Sequence, residues 1–463
     1  MSTMLRSSHP APSQTGRITA GDWAAVVIFG ALFVVAIALG GGGVRYALAN
    51  LVVQLTALAV LAIRREAAVE FWRSAPLTIR ALVVLTMLLP VLHLIPLPQG
   101  MWSTLPGRDL VVQSFELTGR SGWAPASVDP VRTLVALTGL IAPVAVITTG
   151  WSAKRSQLLL LGWLVVALGL VNVLVGIPQV LSGGTTAMIY GDARNLGVLY
   201  GTFANRNSTG LFLVAAMTLA ALLPPPRAHP AVLPARLAAC LLLIVAVVLT
   251  RSRTALVLSA IPVMLAAVHA YGSVRSARSG LGAKQARFGW AAATALALTI
   301  GAISAAVTIA PGRIGETIER FEASEDARQY IWEDAAYSAS RYWPAGAGMG
   351  TFDEVFQLDE SLEHATLRRA GRAHNDYLEV AIEAGLPGLA LIGAWLALVG
   401  WLAWRARHAS SRWIAWSGAA VLLAVALQSI TDYPLRNQAM LAIAAFAFVL
   451  LARFGNGRAE NGR

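Results

Sequence analysis

Four short polar clusters interrupt the long apolar runs of this chain, and each contains side chains that can bind an anion or move a proton. Arginine forms bidentate hydrogen bonds to phosphate oxygens, and histidine is the side chain that most often transfers protons near neutral pH. A basic site that contains a histidine would result if the fold brought the clusters together. The clusters are Asn205-Arg206-Asn207, Thr250-Arg251-Ser252-Arg253-Thr254-Ala255, His374-Asn375-Asp376-Tyr377-Leu378-Glu379 and Asp432-Tyr433-Pro434-Leu435-Arg436.

The first cluster directly precedes an apolar run. We expect Asn207 or Ser208 to cap the helix that begins here, which would place Arg206 beside free backbone N–H groups and the positive end of the helix dipole. Such a helix start can bind an anion, for example a phosphate. The alternative is an arginine that reaches toward lipid phosphates at the membrane surface.

The second cluster holds two guanidinium groups, Arg251 and Arg253, in a tight turn between two apolar runs. Ser252 is expected to cap the helix that follows. Two arginines in an outer turn oppose the usual charge bias of membrane loops unless an anion occupies the site. Anion binding is therefore favoured, and an ordinary loop is the alternative.

The third cluster predicts a helix start with His374 just outside the first turn. Asp376 and Glu379 have the spacing of a capping box, although Ser or Thr usually holds the first position. A histidine placed there could act as a general base. A surface histidine without a chemical role is the alternative.

The fourth cluster, residues 432–436, reads as a turn near the end of the chain. Asp432 could add a carboxylate to the same site, and Arg436 could add a further cation. A simple turn capped by Asp432 is slightly preferred.

The composition requires a membrane setting for these clusters. Of 463 residues, 56% are hydrophobic and only 13% are charged, about half the charged fraction of a soluble domain. The net charge of +12 is spread along the whole chain, so a nucleic-acid partner is excluded.

About twelve segments are apolar enough to cross a bilayer. They lie near residues 22–43, 44–63, 80–98, 131–150, 157–178, 208–224, 236–250, 254–271, 288–310, 377–404, 413–431 and 437–453.

The fold class is therefore all-α, a polytopic membrane protein of about 12 transmembrane helices with a large outer loop between helices 9 and 10. Short basic loops, such as the one containing Arg64, Arg65 and Arg73, favour both termini on the cytoplasmic side. A retained first helix is favoured over a cleaved signal peptide. The predicted division is a disordered N-terminus at 1–20, helices 1–9 at 21–310, the outer loop at 311–376, helices 10–12 at 377–453 and a cytoplasmic tail at 454–463.

The sequence lacks the residues that several kinds of catalytic chemistry require. The chain has no paired cysteines and no H-E-x-x-H motif, and its only lysines are Lys154 and Lys284. The glycine-rich stretch 346–350 is interpreted as a tight turn, since no βαβ unit surrounds it. The outer-loop carboxylates are interpreted as solvated, so neither a metal nor a cofactor is expected; they are Asp353, Glu354, Asp359, Glu360 and Glu363. A secondary transporter or a flippase of lipid-linked or small solutes is the alternative function, because twelve helices with cytoplasmic termini is a common transporter layout.

The motifs together resemble the O-antigen ligase and O-antigen or exopolysaccharide polymerase superfamily of bacterial membrane glycosyltransferases. The resemblance rests on Asn205-Arg206-Asn207, on Thr-x-Ser-Arg253-Thr-Ala, on Arg328-x-x-x-Trp332 with Pro344-x-Gly346-x-Gly348-x-Gly350-x-Phe352, and on His374-Asn375 followed by Gly385-x-x-Gly388. These motifs span residues 200–390, and the flanking helices agree in topology only.

The resemblance implies a GT-C-like, inverting, metal-independent glycosyltransferase of the bacterial inner membrane, with its active site and large loop on the periplasmic side. It implies a donor glycan on undecaprenyl pyrophosphate and an acceptor glycan, either lipid A core or a lipid-linked repeat unit. The bilayer and other polysaccharide-assembly proteins would be further partners. By the same resemblance, Arg206 and Arg253 engage the pyrophosphate and His374 activates or orients the acceptor hydroxyl.

The remaining polar residues of the motifs are candidates for substrate binding. Arg251 is an additional pyrophosphate candidate, and Arg328 matches a family position that could also be structural. The others are Asn205, Asn207, Asn375, Asp432 and Arg436. The motifs around residues 205–207 and 432–436 favour a polymerase slightly, whereas the histidine signature favours a ligase.

Overall fold

The computed structural model of the protein describes residues 20–191, 197–225, 229–278, 328–363 and 369–455. Within these ranges the chain forms a helix bundle, and β1 (Pro96–Leu97) and β2 (Ala124–Pro125) pair antiparallel. The helices are α1 (Ala20–Leu39), α2 (Ala47–Ile63), α3 (Arg65–Ser74), α4 (Leu77–Leu94), α5 (Gln99–Trp102), α6 (Asp109–Leu117), α7 (Pro130–Gly139), α8 (Ile141–Trp151), α9 (Arg155–Leu181), α10 (Arg206–Leu222), α11 (Val232–Leu249), α12 (Arg253–Leu258), α13 (Ala260–Arg278), α14 (Arg328–Tyr342), α15 (Phe352–Asp359), α16 (Asp376–Ala406), α17 (Arg412–Gln428) and α18 (Gln438–Phe454).

The all-α membrane architecture predicted from the sequence is confirmed. Within the described ranges, six helical segments are long and apolar enough to cross a membrane, and α2 with α3, bent by 76°, would make a seventh. Shorter apolar helices lie at four other predicted spans. The predicted span at 288–310 and the first part of the predicted outer loop lie outside the described residues, so the count of twelve stays a prediction.

Two of the shorter helices, α10 and α18, lie at the centre of the bundle. Nearly all of their side chains are buried, and α18 packs against α17, α8 and α1. Both sequences are apolar on every side, as expected of helices surrounded by other helices. The side chain of Asn437, which caps α18, donates to Ser208 in the first turn of α10 at 3.3 Å. The two central helices therefore begin side by side.

The long helix α16 is broken near its start. The sequence predicts a continuous span at 377–404, so the break is a difference from that prediction. Gly385 has φ 56° and ψ −141°, a conformation that strongly favours glycine, and a Cβ there would clash with the carbonyl of Pro344. The break leaves carbonyl groups without their helical partners. Those of Ile382 and Glu383 instead accept from the amides of Ala347 and Gly348, both at 2.8 Å.

The glycine-rich stretch at 346–350 forms the tight turn that the sequence predicts, since Gly346, Gly348 and Gly350 all have positive φ. The buried Arg108 fastens the loop after α4 to this turn by donating to the carbonyls of Ala126 and Gly346. The loop between α4 and α7 and the segment after α14 therefore meet beside the break in α16.

The segment that leads into α10 is held by a glycine between α1 and α2. The carbonyl of Gly41 accepts from the amide of Ala204 at 3.1 Å, and a side chain on Gly41 would clash with the backbone of Thr202 and Phe203. This close approach fixes the backbone immediately before Asn205.

Candidate functional site

His374 lies directly before α16 and contacts a carboxylate from the far end of the chain. Its Nδ1 atom is 3.2 Å from Oδ1 of Asp432, and its ring meets Tyr433 edge-on with centroids 5.0 Å apart. The Asp432 side chain is 1% exposed, whereas that of His374 is 33% exposed. An ionised carboxylate can accept a hydrogen bond but cannot donate one. The contact therefore favours the imidazole tautomer that carries its proton on Nδ1.

The same carboxylate joins the histidine to the first polar cluster. Nδ2 of Asn205 donates to Oδ2 of Asp432 at 3.1 Å, and Oδ1 of Asn205 accepts from the amide of Asn207 at 2.8 Å. The expectation that Asn207 or Ser208 caps this helix is wrong: Asn205 is the cap, because its side chain reaches both the helix amide and Asp432. Arg206 is consequently the first residue of α10.

Asn207 connects the first cluster to the second. Its Oδ1 accepts from the Ser252 hydroxyl at 2.8 Å, and its carbonyl accepts from Nε2 of Gln428 at 2.9 Å. Ser252 also caps α12 as predicted, by accepting from the amide of Ala255 at 3.3 Å. The starts of α10 and α12, which carry Arg206 and Arg253, are thus hydrogen-bonded to each other.

Arg251 has φ +52°, an uncommon conformation for a residue other than glycine. It occupies the turn between α11 and α12, just before Ser252. The neighbouring hydroxyl of Thr254 lies 3.1 Å from that of Thr431, the residue before Asp432. The second cluster therefore also contacts the loop that supplies Asp432.

Arg436 is enclosed by carboxylates of α16. Its Nε lies 3.4 Å from Asp376 and 3.2 Å from Glu379, and its Nη1 lies 2.8 Å from Glu383. Burial alone would lower the pKa of Arg436, but these carboxylates raise it well above its ordinary value. Arg436 therefore anchors the 432–436 loop to α16, and its charge is compensated within the protein.

The helix start at His374 differs from the predicted capping box. Asn375 caps α16, since its Oδ1 accepts from the amide of Leu378 at 3.1 Å. Asp376 instead accepts from the Ser429 hydroxyl at 3.0 Å, and Glu379 accepts from the amide of Ala373 at 3.0 Å. Both carboxylates of the expected box are thus used in contacts outside it.

Arg328 begins α14, one helical turn before Trp332. The indole N–H of Trp332 donates to the carbonyl of Ala373 at 2.8 Å, directly before His374. The loop motif that contains Arg328 and Trp332 therefore supports the backbone of the histidine.

Sequence reasoning assigned Glu379 only to a capping box and did not single out Glu383 or Gln428, although all three hold this cluster in place. Glu379 is fully buried and also pairs with Arg372 at 3.1 Å, while Glu383 accepts from the amide of Phe352 at 3.3 Å. A signal was present, because carboxylates within a predicted membrane span are rare and face the protein interior. Gln428 gave the same kind of signal near the end of α17.

The outer-loop carboxylates that the sequence suggested as solvated form ion pairs in part. Glu354 lies 2.7 Å from Arg132, Asp353 lies 2.6 Å from Arg369, and Asp359 lies 2.7 Å from Arg341. In the part of the chain that the structure describes, no group of three or more His, Cys, Asp or Glu residues is arranged to hold a metal ion.

The sequence was compared with protein families and with curated proteins. The family model described as O-antigen ligase matches residues 238–393. This range includes Arg251, Arg253, Arg328, His374 and Asn375, and it ends before Asp432. No curated protein matches the chain significantly.

The matched segment contributes α12, α14 and the first half of α16, and thus two of the four clusters that the fold joins. Residues 238–393 match the O-antigen ligase family model, and this match supports the resemblance of the protein to the O-antigen ligase and polymerase superfamily.

Proposed function

We propose that this protein transfers a glycan from undecaprenyl pyrophosphate to the hydroxyl of an acceptor sugar, in O-antigen or exopolysaccharide assembly. The observation that carries the proposal is the cluster in which Asp432 contacts both His374 and Asn205 beside two arginine-bearing helix starts. A proton acceptor next to an anion site is what such a transfer requires, because the hydroxyl loses a proton while a pyrophosphate leaves.

In this mechanism the pyrophosphate is held at the starts of α10 and α12. Arg206 and Arg253, with Arg251 in the adjoining turn, supply charge-assisted hydrogen bonds to the phosphate oxygens. These donors stabilise the negative charge that develops on the leaving group as its bond to the sugar breaks.

His374 acts on the acceptor. Because Nδ1 contacts Asp432, the imidazole takes the proton of the attacking hydroxyl on Nε2. The acceptor oxygen then bonds to the anomeric carbon, the bond from that carbon to the pyrophosphate oxygen breaks, and undecaprenyl pyrophosphate departs with the bonding electrons. A single displacement of this kind inverts the anomeric configuration and needs no metal ion.

We place the cluster on the periplasmic side of the bacterial inner membrane, with both termini in the cytoplasm. This orientation rests on the basic short loops, which would otherwise lie outside against the usual charge bias. Within the superfamily we slightly favour a polymerase, which extends a lipid-linked repeat unit, over a ligase, which uses lipid A core.

A deletion strain examined for its surface glycans tests the function and separates the two activities. Loss of glycan from lipid A core with long lipid-linked glycans retained identifies a ligase. Single-repeat glycans that remain after deletion identify a polymerase. Unchanged surface and lipid-linked glycans would contradict the proposal, and lipid-linked glycans trapped on the cytoplasmic side would instead indicate a flippase.

A further inference from the structure

A cavity of about 340 Å³ lies at the end of the bundle opposite the candidate site. It is formed by the end of α16, the loop that follows it and the residue after α18, whereas the other ends of α16 and α18 carry the residues around His374. Its lining consists of Trp404, Arg405, Arg407, His408, Ala409 and Gly455. The cavity is therefore separate from the proposed glycan-transfer site.

The lining is basic. The guanidinium of Arg405 lies 4.7 Å from the centre of the Trp401 ring, and that of Arg407 lies 3.4 Å from the centre of the Trp404 ring. Arg407 also donates to the carbonyl of Trp404 at 3.1 Å. None of the lining residues is acidic, and neither arginine pairs with a carboxylate of the described residues.

The surroundings are those of a membrane surface. Trp401 and Trp404 are 50% and 64% exposed on α16, whose apolar sequence spans a membrane length. Exposed tryptophans at the ends of such helices lie at the level of the lipid headgroups. An anion that reaches Arg405 and Arg407 would therefore come from that layer.

We propose that this cavity binds the phosphate of an anionic phospholipid headgroup. Arg405 and Arg407 would hold the phosphate oxygens, because arginine offers paired N–H donors that match them. The acyl chains would lie along the exposed faces of Trp401 and Trp404. Basic pockets between transmembrane helices are known to bind anionic headgroups in this way. The proposal does not depend on the glycan-transfer activity.

The test measures lipid binding to the purified full-length protein in neutral detergent by native mass spectrometry. Phosphatidylglycerol and phosphatidylcholine with identical acyl chains are compared. In Arg405→Gln/Arg407→Gln we expect the affinity for phosphatidylglycerol to fall about tenfold and the preference over phosphatidylcholine to disappear. Arg405→Lys/Arg407→Lys keeps the charge, so it should keep most of the preference.

The control is Arg65→Gln/Arg73→Gln on α3, which removes the same charge from exposed positions at the same end of the bundle, near Trp151. It should change the affinity less than about twofold. An equal loss in both double variants would overturn the proposal, since binding would then reflect general surface charge. Competition by glycerol phosphate at the lipid's own concentration would overturn it too, because the ligand would then be a free phosphate.

Discussion

The Nδ1 atom of His374 lies 3.2 Å from a carboxylate oxygen of Asp432, although 58 residues separate the two in the sequence. The histidine precedes α16, and the aspartate belongs to the loop between α17 and α18. Their contact is possible because Arg436 draws that loop onto α16 through Glu379 and Glu383. The proposed proton transfer and the packing of three helices thus depend on one loop.

Replacing His374 with alanine should lower the turnover of glycan transfer by at least about 100-fold, because the acceptor hydroxyl loses its base. Donor binding should change little, since we propose that the pyrophosphate is held at α10 and α12. Steady-state kinetics with a lipid-linked donor give kcat, and donor titration gives the affinity. Unchanged turnover would exclude His374 as the base.

Asp432→Asn tests the contact that orients the base. The amide keeps the size of the side chain but loses the charge that holds the Nδ1 proton, so kcat should fall on the order of 100-fold while the melting temperature stays close to that of the native protein. Glu116→Gln, the same carboxylate-to-amide change at an exposed position of α6, is the matched control. A large loss of stability without a specific loss of kcat would assign Asp432 a structural role only.

Arg206→Ala and Arg253→Ala should each abolish glycan transfer while leaving membrane insertion intact. Each removes a guanidinium from a helix start that we assign to the pyrophosphate, where charge-assisted hydrogen bonds are worth most. Product is assayed by the length of surface glycans, and insertion by protease accessibility of the loops. Arg120→Ala, an exposed change in the loop before β2, serves as control. Normal product from both variants would eliminate the pyrophosphate role.

Arg436→Gln should destabilise the protein by about 3–5 kcal/mol, because buried carboxylates lose their cation. Thermal unfolding in detergent measures this loss. Adding Glu383→Gln removes one of the uncompensated charges, so the double variant should regain part of the stability. If Arg436→Gln unfolds like the native protein but no longer binds donor, Arg436 contacts the substrate and our assignment as an anchor is incorrect.

Gly385→Ala should destabilise the protein by about 3 kcal/mol and impair transfer, since the new Cβ would collide with the carbonyl of Pro344 at a positive φ. Gly393→Ala in the same helix is the control, because no atom lies within 4 Å of its added Cβ. Thermal unfolding compares the two. Equal stability of both variants would show that the break in α16 tolerates a side chain.

Transfer should continue after removal of divalent ions by EDTA. The described outer-loop carboxylates Asp353, Glu354 and Asp359 are already paired with arginines, and the proposed chemistry uses arginine to stabilise the leaving group. The assay follows product formation with and without chelator. Complete loss that magnesium restores would assign a metal to the reaction.

The sequence predicts the apolar helices well, because the bilayer requires about 20 apolar residues per crossing and leaves few alternatives. It also marks Ser252 as a helix cap, since a cap depends on residues two or three positions away. The break in α16 depends instead on Pro344, far along the chain, and no local pattern at Gly385 reveals that contact. The caps of α10 and α16 differ from the predicted ones for the same reason. At α10 the capping Asn205 also donates to the distant Asp432, and at α16 Asp376 and Glu379 have tertiary partners that compete with the local ones.

The candidate residues themselves were identifiable, because arginine, histidine and asparagine are conspicuous between apolar runs. The contacts between these residues were not identifiable from the sequence. The position of Asp432 between His374 and Asn205 depends on how α17 and α18 pack, and one sequence carries no record of that distance. The role of Arg436 changes from candidate substrate ligand to anchor once Glu379 and Glu383 are seen to face it.

The hydrogen bonds between the glycine turn and the break in α16 have a consequence for building hybrids of this protein with its relatives. The amides of Ala347 and Gly348 are donors for the carbonyls of Ile382 and Glu383, so the two stretches form one hydrogen-bonded unit. A hybrid that takes the outer loop from a relative must take residues 382–388 from the same source. Otherwise the amides of the grafted turn would not be aligned with the carbonyls of α16 that lack helical partners.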